Sequence, residues 1–199
     1  MKHLKMLGVL GVAMAVLFAV LSTGTASATV LCKSSADPCP SKYPVGTVIK
    51  GELLSGNMMV WTGSPGDTCK KSTFSGEITN SGGVGSTVVV KLTSLTWTEC
   101  GRSHTAVKPG SLELHWQEGG YGGGGRFLGT EWKDGFCTYA MTSEIQSGLI
   151  ESTSSTSHAV FDVISAAGVG NVFGCLGEVQ RWDARYTVTA PVPLWVSSS

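Results

Sequence analysis

The residues best suited to chemistry in this chain are two acidic side chains on either side of a tryptophan. Glu131 and Asp134 flank Trp132 in the segment "GTEWKDGF". Glycoside hydrolases use two carboxyl groups about 5–10 Å apart, one as an acid and one as a base or nucleophile. The pattern therefore makes a glycoside hydrolase-like enzyme one hypothesis, although 14 acidic residues in one chain also bring some acids together by chance.

Two tryptophans beside turns suggest binding rather than catalysis. Trp61 lies in "VWTGSPGD" and Trp132 lies in "GTEWKDGF". An indole ring offers a flat apolar face and an N–H donor, which suits stacking against a sugar ring. The pattern predicts a carbohydrate-binding module with Trp61 and Trp132 as its platform. Glu131 and Asp134 would stand beside that platform. The alternative, which the sequence favours, is that both rings close the ends of the core.

A glycine-rich run raises the question of phosphate binding. Six glycines lie within "HWQEGGYGGGGRF", residues 115–127. A phosphate-binding loop opens a helix and ends in Lys followed by Ser or Thr, but Arg126 and Phe127 stand at those positions. The residues that follow show no helical period. We therefore predict an exposed, flexible loop joining two strands, with no nucleotide and no other cofactor.

Neither the histidines nor the cysteines predict a nucleophile or a metal centre. His104, His115 and His158 are the histidines after residue 28, and none stands in a nucleophile motif. No C-x-x-C pair occurs, and no histidine lies at zinc-ligand spacing from a cysteine. We therefore expect no bound metal and favour a chain that is not an enzyme.

Six cysteines follow residue 28, and an even number suits disulfides in an oxidising compartment. Many pairings are possible from sequence alone. We predict the sequential pairing, in which each bond closes a local loop. The predicted bonds are Cys32–Cys39, Cys69–Cys100 and Cys137–Cys175.

Residues 1–28 have the pattern of a secretory signal peptide. Two lysines precede an apolar run over residues 6–21, and "ASA" ending at Ala28 matches the cleavage pattern. The run is shorter than the roughly 20 residues of a membrane-spanning helix. We therefore predict a secreted, extracellular protein whose single domain covers residues 29–199, with no membrane attachment after cleavage.

The charge balance argues against anionic partners. Cleavage removes two lysines and no acid, so 12 basic residues face 14 acidic ones and the formal charge is −2. Nucleic-acid-binding domains instead carry a basic patch or stripe. We therefore expect no nucleic-acid partner and consider a cell-wall glycan or an envelope protein as the partner.

Alternation of apolar and polar residues runs through most of the chain and indicates β-strands. In "SLELHW" and "QRWDARYTVTA" it is nearly unbroken. Turn signals such as "SPGD", "NSGG" and "KDG" separate about ten such segments, and no helical period follows the signal peptide. The pattern predicts an all-β, single-domain β-sandwich of Greek-key or jelly-roll type, without a helix.

One segment, "STVVVKLTSLTWTEC", breaks the alternation. Val90 and Leu92 share one parity, whereas Leu95 and Trp97 have the other. Strict alternation cannot place both pairs on one face of a sheet. One extra residue near Thr93–Ser94 restores the phase, so we predict a β-bulge there, or a strand that changes sheets.

Four segments of the chain resemble a group of uncharacterised secreted proteins from high-GC Gram-positive bacteria. They are "ASATVLCKSSADPCPSKYPVGTVIKGEL", "TSLTWTECG", "FCTYAM" and "CLGEVQRWDARYTVTAPVPLWV". The resemblance covers essentially the whole chain after residue 28. It implies a secreted, disulfide-containing β domain and brings no activity or site residue with it. The sequence as a whole favours an exported extracellular or cell-envelope protein with a structural or interaction role.

Overall fold

The computed structural model describes residues 29–55, 59–62, 66–83, 86–116, 122–141, 147–152, 159–170, 175 and 179–199. These residues form 14 strands and no helix, which confirms the all-β class and exceeds the ten or so strands expected. No helix in this part of the chain could span a membrane. The predicted signal peptide lies outside the described residues.

The strands, in chain order, are β1 (Thr29–Cys32), β2 (Val48–Leu53), β3 (Met59–Thr62), β4 (Asp67–Ile78), β5 (Val88–Cys100), β6 (His104–Lys108), β7 (Ser111–Trp116), β8 (Gly122–Leu128), β9 (Glu131–Asp134), β10 (Cys137–Met141), β11 (Ser147–Ser152), β12 (Ala159–Gly170), β13 (Val179–Ala190) and β14 (Trp195–Ser198). β4, β5, β12 and β13 are the longest, and each pairs with different neighbours along its length.

Twelve strands form one sheet in the order β2-β13-β3-β4-β5-β7-β8-β11-β12-β10-β9-β6. β13 also pairs with β12, and β2 also pairs with β4, so strands from distant positions in this order are hydrogen-bonded to each other. The sheet therefore folds over on itself and encloses one hydrophobic core, which gives the sandwich-like arrangement expected from the sequence. β1 and β14 form a separate two-stranded sheet.

Large aromatic side chains fill this core. Trp182 and Tyr186 are fully buried on the inner face of β13. Phe127 and Trp97 pack edge-on against Trp182, with ring centroids 5.3 and 6.0 Å away, and Phe74 packs in the same way against Tyr186 at 5.3 Å. Edge-to-face contacts at these distances are favourable beyond the area they bury. Trp97 and Trp182 are both buried in this core.

The predicted β-bulge in β5 is also confirmed. Ser75 pairs with Ser94, but Gly76 pairs with Leu92, so Thr93 is one extra residue on β5. Leu92 before the bulge and Leu95 after it are both buried. The bulge therefore keeps both halves of β5 facing the core, as the change of parity required.

The second part of the glycine-rich run, Gly122–Phe127, lies in a strand, so our prediction of a flexible loop was wrong for these residues, whereas residues 117–121 lie outside the described part of the chain. β8 starts at Gly122 and pairs with β7 on one side and β11 on the other, and Gly124 and Gly125 are buried. β14 also comes within 8 Å of β8, measured between Cα atoms, whereas stacked sheets usually lie about 10 Å apart.

The three disulfides join the predicted cysteines in the predicted sequential order. They are Cys32–Cys39, Cys69–Cys100 and Cys137–Cys175. Cys69 and Cys100 also lie directly opposite each other in the β4–β5 ladder, so this bond crosses a strand pair. The bond links two strands that are already hydrogen-bonded neighbours, and it lies at the terminal residue pair of the β4–β5 ladder.

Two small sheet regions close the molecule. At one end, β1 is buried along its whole length, and the Thr29 hydroxyl accepts a hydrogen bond from the Trp116 N–H at 3.0 Å. At the other end, β10 pairs with the end of β12, and β9 and β6 continue from it. This three-stranded extension of β10, β9 and β6 covers the end of the fold where β4 and β13 begin.

Candidate functional site

Four strands bring polar side chains together beneath the β6–β9–β10 extension. We call this group the end cluster, and it consists of Asp67, Arg102, His104, Asp134 and Gln180. Asp67 and Gln180 lie at the starts of β4 and β13, and the β6–β9 register sets His104 opposite Asp134. The His104 side chain is fully buried, and those of Asp67 and Asp134 are only 8% exposed.

The Asp67 carboxylate is enclosed by four donors. Oδ1 accepts the backbone N–H groups of Thr68 at 2.7 Å and Gly101 at 3.0 Å. Oδ2 accepts the backbone N–H of Arg102 at 2.8 Å and lies 2.9 Å from Nε2 of His104. Glycine is required at position 101, because a Cβ there would stand 2.5 Å from Oδ1 of Asp67.

These contacts set the ionisation of Asp67. Burial alone would raise the pKa of Asp67, because it removes water from the charged form. Hydrogen bonds from His104 and from the backbone N–H groups of Thr68 and Arg102 act against burial and leave the pKa below its usual value. The carboxylate is therefore held in its ionised form at neutral pH.

Asp134 forms the second half of the end cluster. Its Oδ2 accepts the Arg102 guanidinium at 2.9 Å and the Gln180 amide at 2.7 Å, and its Oδ1 lies 3.9 Å from Nδ1 of His104. The indole N–H of Trp132 donates to the Gln180 carbonyl oxygen at 2.6 Å. The chain of contacts therefore runs from β4 through β6 and β9 to β13.

This arrangement leaves little room for a reacting molecule. The imidazole of His104 stands between the two carboxylates, in the space where a glycosidic bond and an attacking water would have to lie. Both carboxylates also accept hydrogen bonds from donors of the protein itself. The geometry fits a set of buried hydrogen bonds that holds four strand ends together, since buried polar groups stabilise only when they are paired.

Trp132 does not form an exposed platform, so this part of the carbohydrate-binding hypothesis was wrong. Its side chain is fully buried and stacks on Tyr139, with ring centroids 5.8 Å apart. The alternation of β9 explains the burial, because Trp132 faces inward between the outward-facing Glu131 and Lys133. The alternative favoured from the sequence, that this ring closes one end of the core, describes what the structure shows.

Glu131 and Asp134 do not form a catalytic pair, which corrects the hydrolase hypothesis. They are three residues apart in β9, so their side chains leave opposite faces of the strand. Asp134 joins the end cluster, whereas Glu131 lies 3.7 Å from Lys108 at the surface. The charged neighbours of Asp134 are instead two basic side chains, those of His104 and Arg102.

Trp61 is placed only by its backbone. It lies in β3, opposite Trp182 of β13 and Asp67 of β4. Its side chain lies outside the described part of the structure, so its proposed role as a sugar platform stays a prediction.

The described residues contain one group with the spacing of metal ligands, formed by Asp67, Cys69 and Cys100. The two cysteines are bonded to each other, so neither offers a thiolate to a metal. The group is therefore a disulfide with a carboxylate beside it.

The sequence analysis considered Asp134 as a ligand-binding or catalytic residue and did not predict its partners in the end cluster. Asp67, Arg102 and Gln180 belong to segments distant from residue 134, and His104 stands in no recognisable motif. The one local signal is Gly101 after Cys100, which marks a sharp change of direction at the end of β5. Comparison with protein-family models, curated proteins and solved structures finds no match to this chain.

Proposed function

We propose that the chain is an exported β domain with a structural or interaction role outside the cell or in the cell envelope. The three intramolecular disulfides support this, because such bonds persist in oxidising, extracellular environments. The signal-peptide pattern of residues 1–28 and the resemblance to secreted proteins of high-GC Gram-positive bacteria belong to the same proposal.

The observation that carries a non-enzymatic role is the internal pairing of the end cluster. Among the residues whose side chains are described, Asp67 and Asp134 are two largely buried carboxylates close together, as a hydrolase would need, yet His104 separates them and protein donors bind both. A catalytic carboxylate must instead lie within hydrogen-bond reach of a substrate. We therefore assign the end cluster to holding the β6–β9–β10 extension against β4 and β13.

Export is tested by expressing the full chain with its leader in a Gram-positive host. We expect the protein in the culture medium, with Thr29 as its first residue and no free thiol. Retention in the cell with residues 1–28 still attached would contradict the proposal. Mass spectrometry of the N-terminal peptide identifies the first residue, and comparison with and without thiol alkylation detects any free thiol.

The role is tested by incubating purified residues 29–199 with cell walls and insoluble polysaccharides. Release of soluble sugar that is lost in Asp134→Asn would overturn the non-enzymatic role. Saturable binding that is lost in Trp61→Ala, with unchanged unfolding, would favour the carbohydrate-binding alternative. Binding to cell walls that survives both substitutions, or capture of an envelope protein alone, is the result expected of a structural or interaction role.

A further inference from the structure

Asp67 has a second neighbour besides the end cluster, the disulfide between Cys69 and Cys100. One of its carboxylate oxygens and both sulfur atoms lie within 4.8 Å of one another. Asp67 and Cys69 are two residues apart in β4, so their side chains lie on the same face of the strand. The Cys69 side chain is fully buried, and the Asp67 side chain is only 8% exposed.

We propose that the Asp67 carboxylate protects the Cys69–Cys100 disulfide against reduction by thiols. Reduction begins when a thiolate attacks one sulfur of the bond. Cys100 is the partly exposed partner and Cys69 the buried one, so the attack falls on Cys100. A new bond forms between the reductant and Cys100, the bond between Cys69 and Cys100 breaks, and its electron pair leaves on Sγ of Cys69.

With a dithiol as reductant, the second thiolate of the reagent then displaces Cys100 and closes a cyclic disulfide. The protein gains two electrons and two protons, and the dithiol loses them. A negative charge approaches the bond in the first step, and a negative charge forms on Cys69. A fixed carboxylate within 4.8 Å opposes both, because like charges at this distance repel strongly where water is scarce.

The basic side chains near this charge also face other carboxylates. The Arg102 guanidinium binds Asp134, and the backbone N–H of Arg102 binds Asp67. Lys71 beside this disulfide forms an ion pair with Glu99, which keeps that pair formally neutral. The His104 side chain contacts Asp67 and also faces Asp134.

The other two disulfides provide a comparison within the same molecule. In the described part of the chain, neither Cys32–Cys39 nor Cys137–Cys175 has an acidic side chain within the same distance of both sulfurs. If the carboxylate protects the bond, then removing its charge must accelerate the reduction of one disulfide and leave the other two unchanged.

The experiment follows the reduction of each disulfide in the oxidised protein by dithiothreitol. Samples are quenched by alkylation, digested and analysed by mass spectrometry, so that each cysteine pair is read separately. We expect Asp67→Asn to accelerate the reduction of Cys69–Cys100 at least about tenfold. Asp134→Asn is the matched control, because it removes a carboxylate on the other side of His104. We expect it to change the same rate by less than about twofold.

A second measurement separates charge from simple loosening of the structure. Reduction is compared between a cationic monothiol, cysteamine, and an anionic one, 2-mercaptoethanesulfonate, at equal thiolate concentration. The unmodified protein is expected to react faster with the cationic thiol, and about 1 M salt, where the Debye length is about 3 Å, should reduce this preference. In Asp67→Asn the preference should also fall.

Two results would overturn the proposal. One is equal acceleration of the Cys69–Cys100 rate by Asp67→Asn and Asp134→Asn, which would assign protection to the packing of the end cluster. The other is an unmodified protein that reacts equally with both thiols at all salt concentrations. The thiol comparison needs no variant, so it decides the matter even if Asp67→Asn does not fold.

Discussion

Replacing His104 with alanine is the most direct test of the end cluster as a structural device. The substitution removes a fully buried ring and leaves Oδ2 of Asp67 without its side-chain donor. A hydrogen bond to a charged group contributes about 1.5–3 kcal/mol, and the cavity left by the ring adds to the loss. We therefore expect His104→Ala to lower the free energy of unfolding by about 3–4 kcal/mol.

Urea unfolding followed by tryptophan fluorescence measures this loss. With a slope of about 1–3 kcal/mol per molar urea, the midpoint should fall by about 1–4 M. Thr105→Ala is the control, since Thr105 is the next residue of β6 and is exposed, and its cost should stay below about 1 kcal/mol. A His104→Ala cost within about 1 kcal/mol of the control would refute the idea that the cluster holds the strand ends together.

Three further predictions test individual contacts. The pKa of Asp67 is lower in the folded state than in the unfolded chain. Its ionised carboxylate therefore stabilises the fold fully when the pH is above the ordinary carboxylate pKa, and this stabilisation is lost as the pH falls through the pKa of the folded state. Urea midpoints between neutral and acidic pH should show a decline that is smaller in Asp67→Asn. Trp132→Phe keeps an aromatic ring but leaves the Gln180 oxygen without its donor, and should cost about 1–3 kcal/mol in calorimetry or urea unfolding. Deletion of Thr93 removes the extra residue of the bulge and leaves Leu92, Leu95 and Trp97 on one face of a regular strand. We therefore expect a folded protein with a native circular dichroism spectrum, and an unfolded product would contradict the assigned register.

Local patterns predicted most of the strands because the side-chain period of a strand is a local property. The alternation in β13 predicted a strand with one buried face, and the structure has it. The change of parity in β5 predicted a bulge, and the structure has one at Thr93. β8 escaped prediction because glycine carries no side chain, and so no alternation can be read from Gly122–Gly125. Backbone pairing with β7 and β11 forms that strand regardless of side chains.

The sequence by itself determined the all-β class and the bulge near Thr93, because both depend on side-chain alternation along the chain. It predicted the sequential disulfide pairing, but other pairings fitted the sequence and the structure decided among them. Only the tertiary structure decided that Trp132 is buried and that Asp134 meets His104 rather than Glu131. Those outcomes depend on the register between β6 and β9 and on where β4 and β13 begin, since strands far apart in sequence meet there. Pairing between distant strands is chosen by the packing of the whole core, and no short stretch of residues contains that information.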